Sequence, residues 1–152
     1  MSAGVLAGPR PPSTVRSAVA WWTIAVGAGA LETIGTVAVQ AADGAADSAL
    51  AVGVGVRVAV YTIVLLVVAA LWRGNRWARV GLAVGLGGLG LLSLVADPVG
   101  WLASGNSVWD GLRAADVQLA LLIAVRSVHV AAVLAACVLM FRPASNRYFS
   151  RH

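Results

Sequence analysis

Residues 112–143 read LRAADVQLALLIAVRSVHVAAVLAACVLMFRP. From Val117 to Phe141 only Gln118, Arg126, Ser127 and His129 interrupt an apolar run. At about 1.5 Å per residue such a helix covers the roughly 30 Å of a bilayer's hydrocarbon core. Arg126 then falls where a charge costs about 2.5–3.5 kcal/mol at the helix centre. The sequence must answer that cation from another segment.

Working outward, the 152-residue chain is 60% hydrophobic and only 11% charged. Soluble domains carry about 25% charged residues, so too few remain to cover a water-facing surface. Three further apolar runs span about 18–42, 50–72 and 77–96, joining 117–141. Strands are excluded because these runs lack strict alternation and an open sheet edge cannot face lipid. The expected fold is all-α, a polytopic four-transmembrane-helix bundle. Residues 1–17 are expected to form a flexible leader and 142–152 a tail. Arg10 and Arg16 ahead of the first run resemble a signal peptide, but its apolar core exceeds the usual 7–15 residues, so it reads as a retained anchor.

The connecting segments set an orientation. All 11 basic residues are Arg, and eight of them (Arg10, Arg16, Arg73, Arg76, Arg79, Arg142, Arg147 and Arg151) alternate with segments holding Asp43, Asp47, Asp97, Asp110 and Asp116. Basic loops stay on the cytoplasmic side, which places both termini there. The same topological distribution argues against nucleic acid as the target of the +5 net charge. Trp21, Trp22, Trp72 and Trp77 sit near the cytoplasmic boundaries, as interface aromatics do. Pro98 is expected to stop the third helix. Beyond it, Trp101, Leu102, Val108, Trp109 and Leu112 suit a short interfacial segment.

Three ionised residues fall inside predicted spans: Glu32, Arg57 and Arg126, at depths of about 15, 10 and 14 Å from the acidic-loop ends. Three separate lipid-facing charges are hard to rationalise, so Glu32 is expected to accept from Arg57, Arg126 or both. Glu32, Thr36 and Gln40 form a stripe at i, i+4, i+8. Tyr61 shares a face with Arg57, and His129 lies one turn from Arg126. Tyr61 and His129 are positioned to orient the carboxylate, satisfy one another or meet a backbone carbonyl. Gly81, Gly85 and Gly88 allow close helix approach, inside the bundle or against another protein.

Other chemistries lack their residues. Lone Cys137 forms no CxxC pair and reads as a small buried hydrophobe. His129 has no companion set with metal spacing, and bis-histidine haem ligation within the chain fails because His152 lies on the opposite side. GLGGLG sits inside an apolar helix, not after a strand. Asp97, Asp110 and Asp116 read as caps and solvated loop residues. No cofactor and no enzyme activity are expected.

LWRGNRWARVGLAV (71–84), LSLVADP (92–98) and MFRPASNRYF (140–149) resemble small, uncharacterised four-helix integral membrane proteins of actinobacteria. The resemblance spans about 16–149 and implies a bacterial cytoplasmic (inner) membrane, with no catalytic residues. The chain also looks similar in size to small multidrug-resistance exporters, whose first helix carries an acidic residue where this chain has Glu32. Arg57 and Arg126 depart from that pattern, since nearby cations lower a carboxylate's proton affinity and repel cationic substrates. The expected role is therefore a structural or accessory subunit of a larger cell-envelope complex. Unrelated integral membrane subunits are its expected partners, with an anionic lipid a further candidate and a homo-oligomer compatible. In the tail, Arg142, Arg147, Tyr148 and Phe149 suit either a cytosolic partner surface or ordinary positive-inside anchoring. The alternative is an oligomeric proton-coupled transporter using Glu32.

Overall fold

A computed structural model describes residues 11–44 and 47–150. Arg10 and the rest of the leader up to residue 10, together with Arg151 and His152, lie outside the described residues. The described chain is all-helical: α1 (Ser13–Ala42), α2 (Ser48–Trp72), α3 (Arg76–Val84), a π-helical segment (Gly85–Gly90), α4 (Leu91–Ala103), α5 (Val108–Ala114), α6 (Val117–Met140) and α7 (Pro143–Phe149). Four helices are long and apolar enough to cross a membrane: α1, α2, the continuous stretch Arg76–Ala103, and α6.

Local chemistry sets the helix ends. Asp47 and Asp116 accept from the Leu50 and Leu119 amides at 2.9 and 2.8 Å, each satisfying one otherwise orphaned donor. Between α2 and α3, Gly74 adopts φ +85. The Gly74 and Asn75 amides return to the Leu71 and Ala70 carbonyls at 3.0 and 3.1 Å, a Schellman stop. Asn75 then caps α3 by accepting from the Trp77 amide at 2.9 Å. WRGNRW is thus a hairpin specified residue by residue.

The third long apolar helix departs from expectation. Pro98 lies inside α4, which runs on to Ala103. Proline removes a single amide donor and crowds the carbonyl four residues earlier. Ending the helix at that point would leave a full turn of carbonyls without partners, a larger loss than one donor. The stop comes at Gly105, φ +85, with Asn106 Nδ2 donating to the Trp101 carbonyl at 2.8 Å. After this turn α5 folds back, Gly111 leaving room for the Trp101 ring. Trp109 on α5 is 71% exposed.

Packing is concentrated at the arginine-rich end. α1 lies chiefly against α6, with α2 on α1 and α3 on α2. The core comprises Val15, Ala18, Trp22 and Ala25 of α1, Val64, Val68 and Leu71 of α2, Ala78 and Leu82 of α3, Ala132, Val133, Ala136 and Met140 of α6, and Phe149. α1 begins at Ser13, inside the expected leader, and Val15 is already buried. Trp22 is fully buried and donates to Met140 Sδ at 3.4 Å, so it is a core residue and not an interface anchor. Its helical position, one turn from Ala18 and Ala25, aims it inward, while adjacent Trp21 is rotated out.

The tail also turns inward. Phe149 is 2% exposed, and the Tyr148 hydroxyl donates to the Trp72 carbonyl at 3.0 Å. The buried Ser145 hydroxyl lies 2.8 Å from both the Leu139 carbonyl, to which it donates, and the Thr14 hydroxyl, with which it shares a hydrogen bond. Arg79 bonds Asn146 and stacks over the Phe141 ring at 4.2 Å. Phe149 is therefore unavailable to a cytosolic partner; a large aromatic at a helix end gains more from sealing the bundle than from facing water.

Candidate functional site

Where the tight packing ends, α1, α2 and α6 bring polar groups together. Gly29 is buried. A Cβ there would lie 3.1 Å from both the His129 Cε1 atom and the Tyr61 hydroxyl, so its lack of a side chain is what admits both rings. The Tyr61 hydroxyl donates to the Gly29 carbonyl at 2.7 Å. The Thr33 hydroxyl, 2.9 Å from that same carbonyl and from Tyr61, completes the triangle. Tyr61 thus meets a backbone carbonyl, one of the arrangements open to it from sequence.

One turn beyond Gly29, the Glu32 carboxylate faces α6. Its Oε2 lies 3.7 Å from Arg126 Nη2, and its Oε1 lies 3.7 Å from His129 Nδ1. Side-chain exposure is 13% for Glu32, 34% for Arg126 and 21% for His129. Charge-assisted hydrogen bonds close at about 2.7–2.9 Å, so these are ion contacts with unused bonding capacity. Among the described residues, buried Glu32 Oε1, Arg126 Nε and His129 Nδ1 have no hydrogen-bond partner. Pairing of this kind lowers the cost of the partly buried charges without guaranteeing net stability.

Arg57 is not in this cluster. It is exposed on α2 and belongs to no ion pair among the described residues. Tyr61, one turn along, points at α1, but Arg57 runs back along its own helix, with Nη1 3.9 Å from where a Cβ on Gly53 would sit. Of the two guanidiniums open to Glu32 from sequence, Arg126 alone meets it, and the His129 imidazole stands beside it.

The glycines divide similarly. Gly81 and Gly85 are exposed with no neighbour within 4 Å of an added Cβ, and Gly88 meets only the Ala83 carbonyl at 4.0 Å. Close approach occurs at Gly87, where a Cβ would lie 2.7 Å from Cys137 Sγ. Gly29, Thr33 and Gly87 were not singled out from sequence. For Gly29 the signal was its place one turn before Glu32 on the same face.

Two spaces flank the cluster. A cavity of about 160 Å³ lies between the helices, lined by Trp22, Tyr61, Val64, Leu86, Ser93 and His129 among others. A groove of about 530 Å³ lies between the far halves of α1 and α6. Glu32, Thr36 and Gln40 line it from α1, with Asp116 and Gln118 from α6. The Glu32–His129 contact stands between the two spaces. Among the described residues no three His, Cys, Asp or Glu side chains gather closely enough to hold a metal ion. No protein-family model, curated protein or solved structure matches the chain.

Proposed function

We propose that the chain is a multi-pass protein of a bacterial cytoplasmic membrane with both termini on the cytoplasmic side. Its role is that of a non-enzymatic accessory subunit of a larger envelope complex. The membrane reading is supported by the four apolar helices and by the segregation of Arg16, Arg73, Arg76, Arg79, Arg142 and Arg147 from the acidic turns. The observation that carries the accessory role is Arg57, a permanent cation exposed in the middle of an apolar helix and unpaired among the described residues. Intramembrane charges face protein or water and pair with something. With Glu32 already taken by Arg126, the acidic partner of Arg57 belongs to another subunit.

The test is purification in mild detergent followed by intact-complex mass measurement, for the natural chain and for R57E. The expected result is a stoichiometric assembly with unrelated membrane subunits that R57E disrupts while helicity and membrane insertion persist. Recovery of this chain alone, or an assembly indifferent to R57E, overturns the proposal.

One observation favours a second reading. The polar stripe Gln40, Thr36, Glu32 descends the groove to the Glu32–His129 contact, beyond which lies the inner cavity. That order of groups suits proton-coupled transport in an oligomer. Proton flux in vesicles, abolished by E32Q with assembly intact, would select transport over the accessory role.

A further inference from the structure

The α1–α6 groove has a composition that selects its occupant. Glu32, Thr36 and Gln40 repeat every fourth residue along α1, so the polar line descends about 12 Å from mouth to floor. Asp116 and Gln118 face it at the mouth, while Leu31, Leu119, Leu122 and Val125 form apolar walls. A volume of about 530 Å³ with mostly apolar lining and a few convergent polar groups matches the usual build of a small-molecule site.

The polar lining separates three headgroup chemistries. Phosphate is disfavoured, because no cation lines the groove and Asp116 at its mouth repels an anion. An ammonium offers only donors, so it leaves the carboxamide donors of Gln40 and Gln118 unmet. Gln40 and Gln118 each present a carboxamide with two donors and an acceptor, and neither makes a hydrogen bond among the described residues. The Thr36 hydroxyl donates to the Glu32 carbonyl at 2.9 Å, which leaves its oxygen free to accept. A headgroup that both donates and accepts satisfies carboxylates, carboxamides and hydroxyl together, and among neutral lipid headgroups the hydroxyl supplies both functions.

We propose that this groove binds a neutral lipid with a hydroxyl-bearing headgroup, of the glycerol or sugar class, its acyl chain against the leucine and valine walls. The inference rests on the membrane-spanning reading above and is independent of the Arg57 partner.

The test is native mass spectrometry of the full chain reconstituted in phosphatidylcholine, with monoglucosyl diacylglycerol, phosphatidylethanolamine or phosphatidic acid added in turn. The expected result is preferential retention of the glucosyl lipid by about tenfold over phosphatidylcholine, lost in Q40A/Q118A, whose side chains anchor nothing else. R57Q, which weakens the accessory reading if assembly survives it, should leave lipid retention unchanged. Equal retention of all lipids, preference for the amine or phosphate lipid, or retention unaffected by Q40A/Q118A overturns the proposal. Free glucose at the same concentration should not compete, and competition would make the sugar alone, not a lipid, the ligand and overturn the assignment.

Discussion

Gly87 offers the sharpest test of how these helices meet. An alanine methyl there would lie 2.7 Å from Cys137 Sγ, about 1 Å short of the 3.5–4.0 Å at which non-bonded heavy atoms rest. Forcing that methyl in costs about 1–3 kcal/mol by overpacking. Replacing a helical glycine with alanine returns up to about 1 kcal/mol. G87A in the natural chain should therefore destabilise by about 0–2 kcal/mol. In a C137A background the sulfur is gone, the clash vanishes and the helix gain remains, so the same substitution should stabilise by up to about 1 kcal/mol. G81A, with nothing within 4 Å, should stabilise in both backgrounds. The assay is equilibrium unfolding by SDS of maltoside-solubilised protein, followed by ellipticity at 222 nm. If G87A and C137A prove additive within about 0.5 kcal/mol, the π-helical segment does not lie against Cys137 and the reasoning fails.

The remaining predictions use the same preparation. R126M leaves Glu32 without its guanidinium and should destabilise by about 1–3 kcal/mol, less than the 3–5 of a fully buried pair because Arg126 is one-third exposed; R57M, which breaks no internal pair, should be neutral or stabilising. F149A removes a buried plug, so α7 should open locally and trypsin should cleave after Arg147 at least tenfold faster, as read by mass spectrometry. For topology, in a C137A background an impermeant maleimide added to intact cells should label N106C, and should reach S150C only after permeabilisation; the reverse pattern refutes the proposed orientation.

The four long apolar helices were legible because crossing hydrocarbon demands a length and a composition that few soluble helices match. The Glu32–Arg126–His129 meeting was legible only as one of several pairings, since depth made Arg57 and Arg126 equal candidates for Glu32 and left His129 a choice of partners. What stayed hidden was the choice of packed face. In water a helix declares its buried side by alternating apolar and polar residues. α1 is apolar on both sides: Ile34 is 64% exposed while the smaller, less hydrophobic Ala25 is 3%, so hydrophobicity does not mark the packed face. The same ambiguity turned Trp22 from an expected interface anchor into core, and Phe149 from a partner contact into a plug.

The glycine motif does not mark the close contact within this chain, for a related reason. GxxxG marks a face with low relief, and low relief is equally suited to a neighbouring helix, a partner or lipid. Gly81 and Gly85 take the open side, while Gly87, outside the motif, takes the contact with α6. The π-helical segment Gly85–Gly90 adds residues to the turn relative to an α-helix and so rotates α4 about the helix axis. A register counted at 3.6 residues per turn therefore cannot locate the facing glycine beyond Val84. Small residues in a membrane helix consequently specify how closely something approaches, and only the observed winding says from which side.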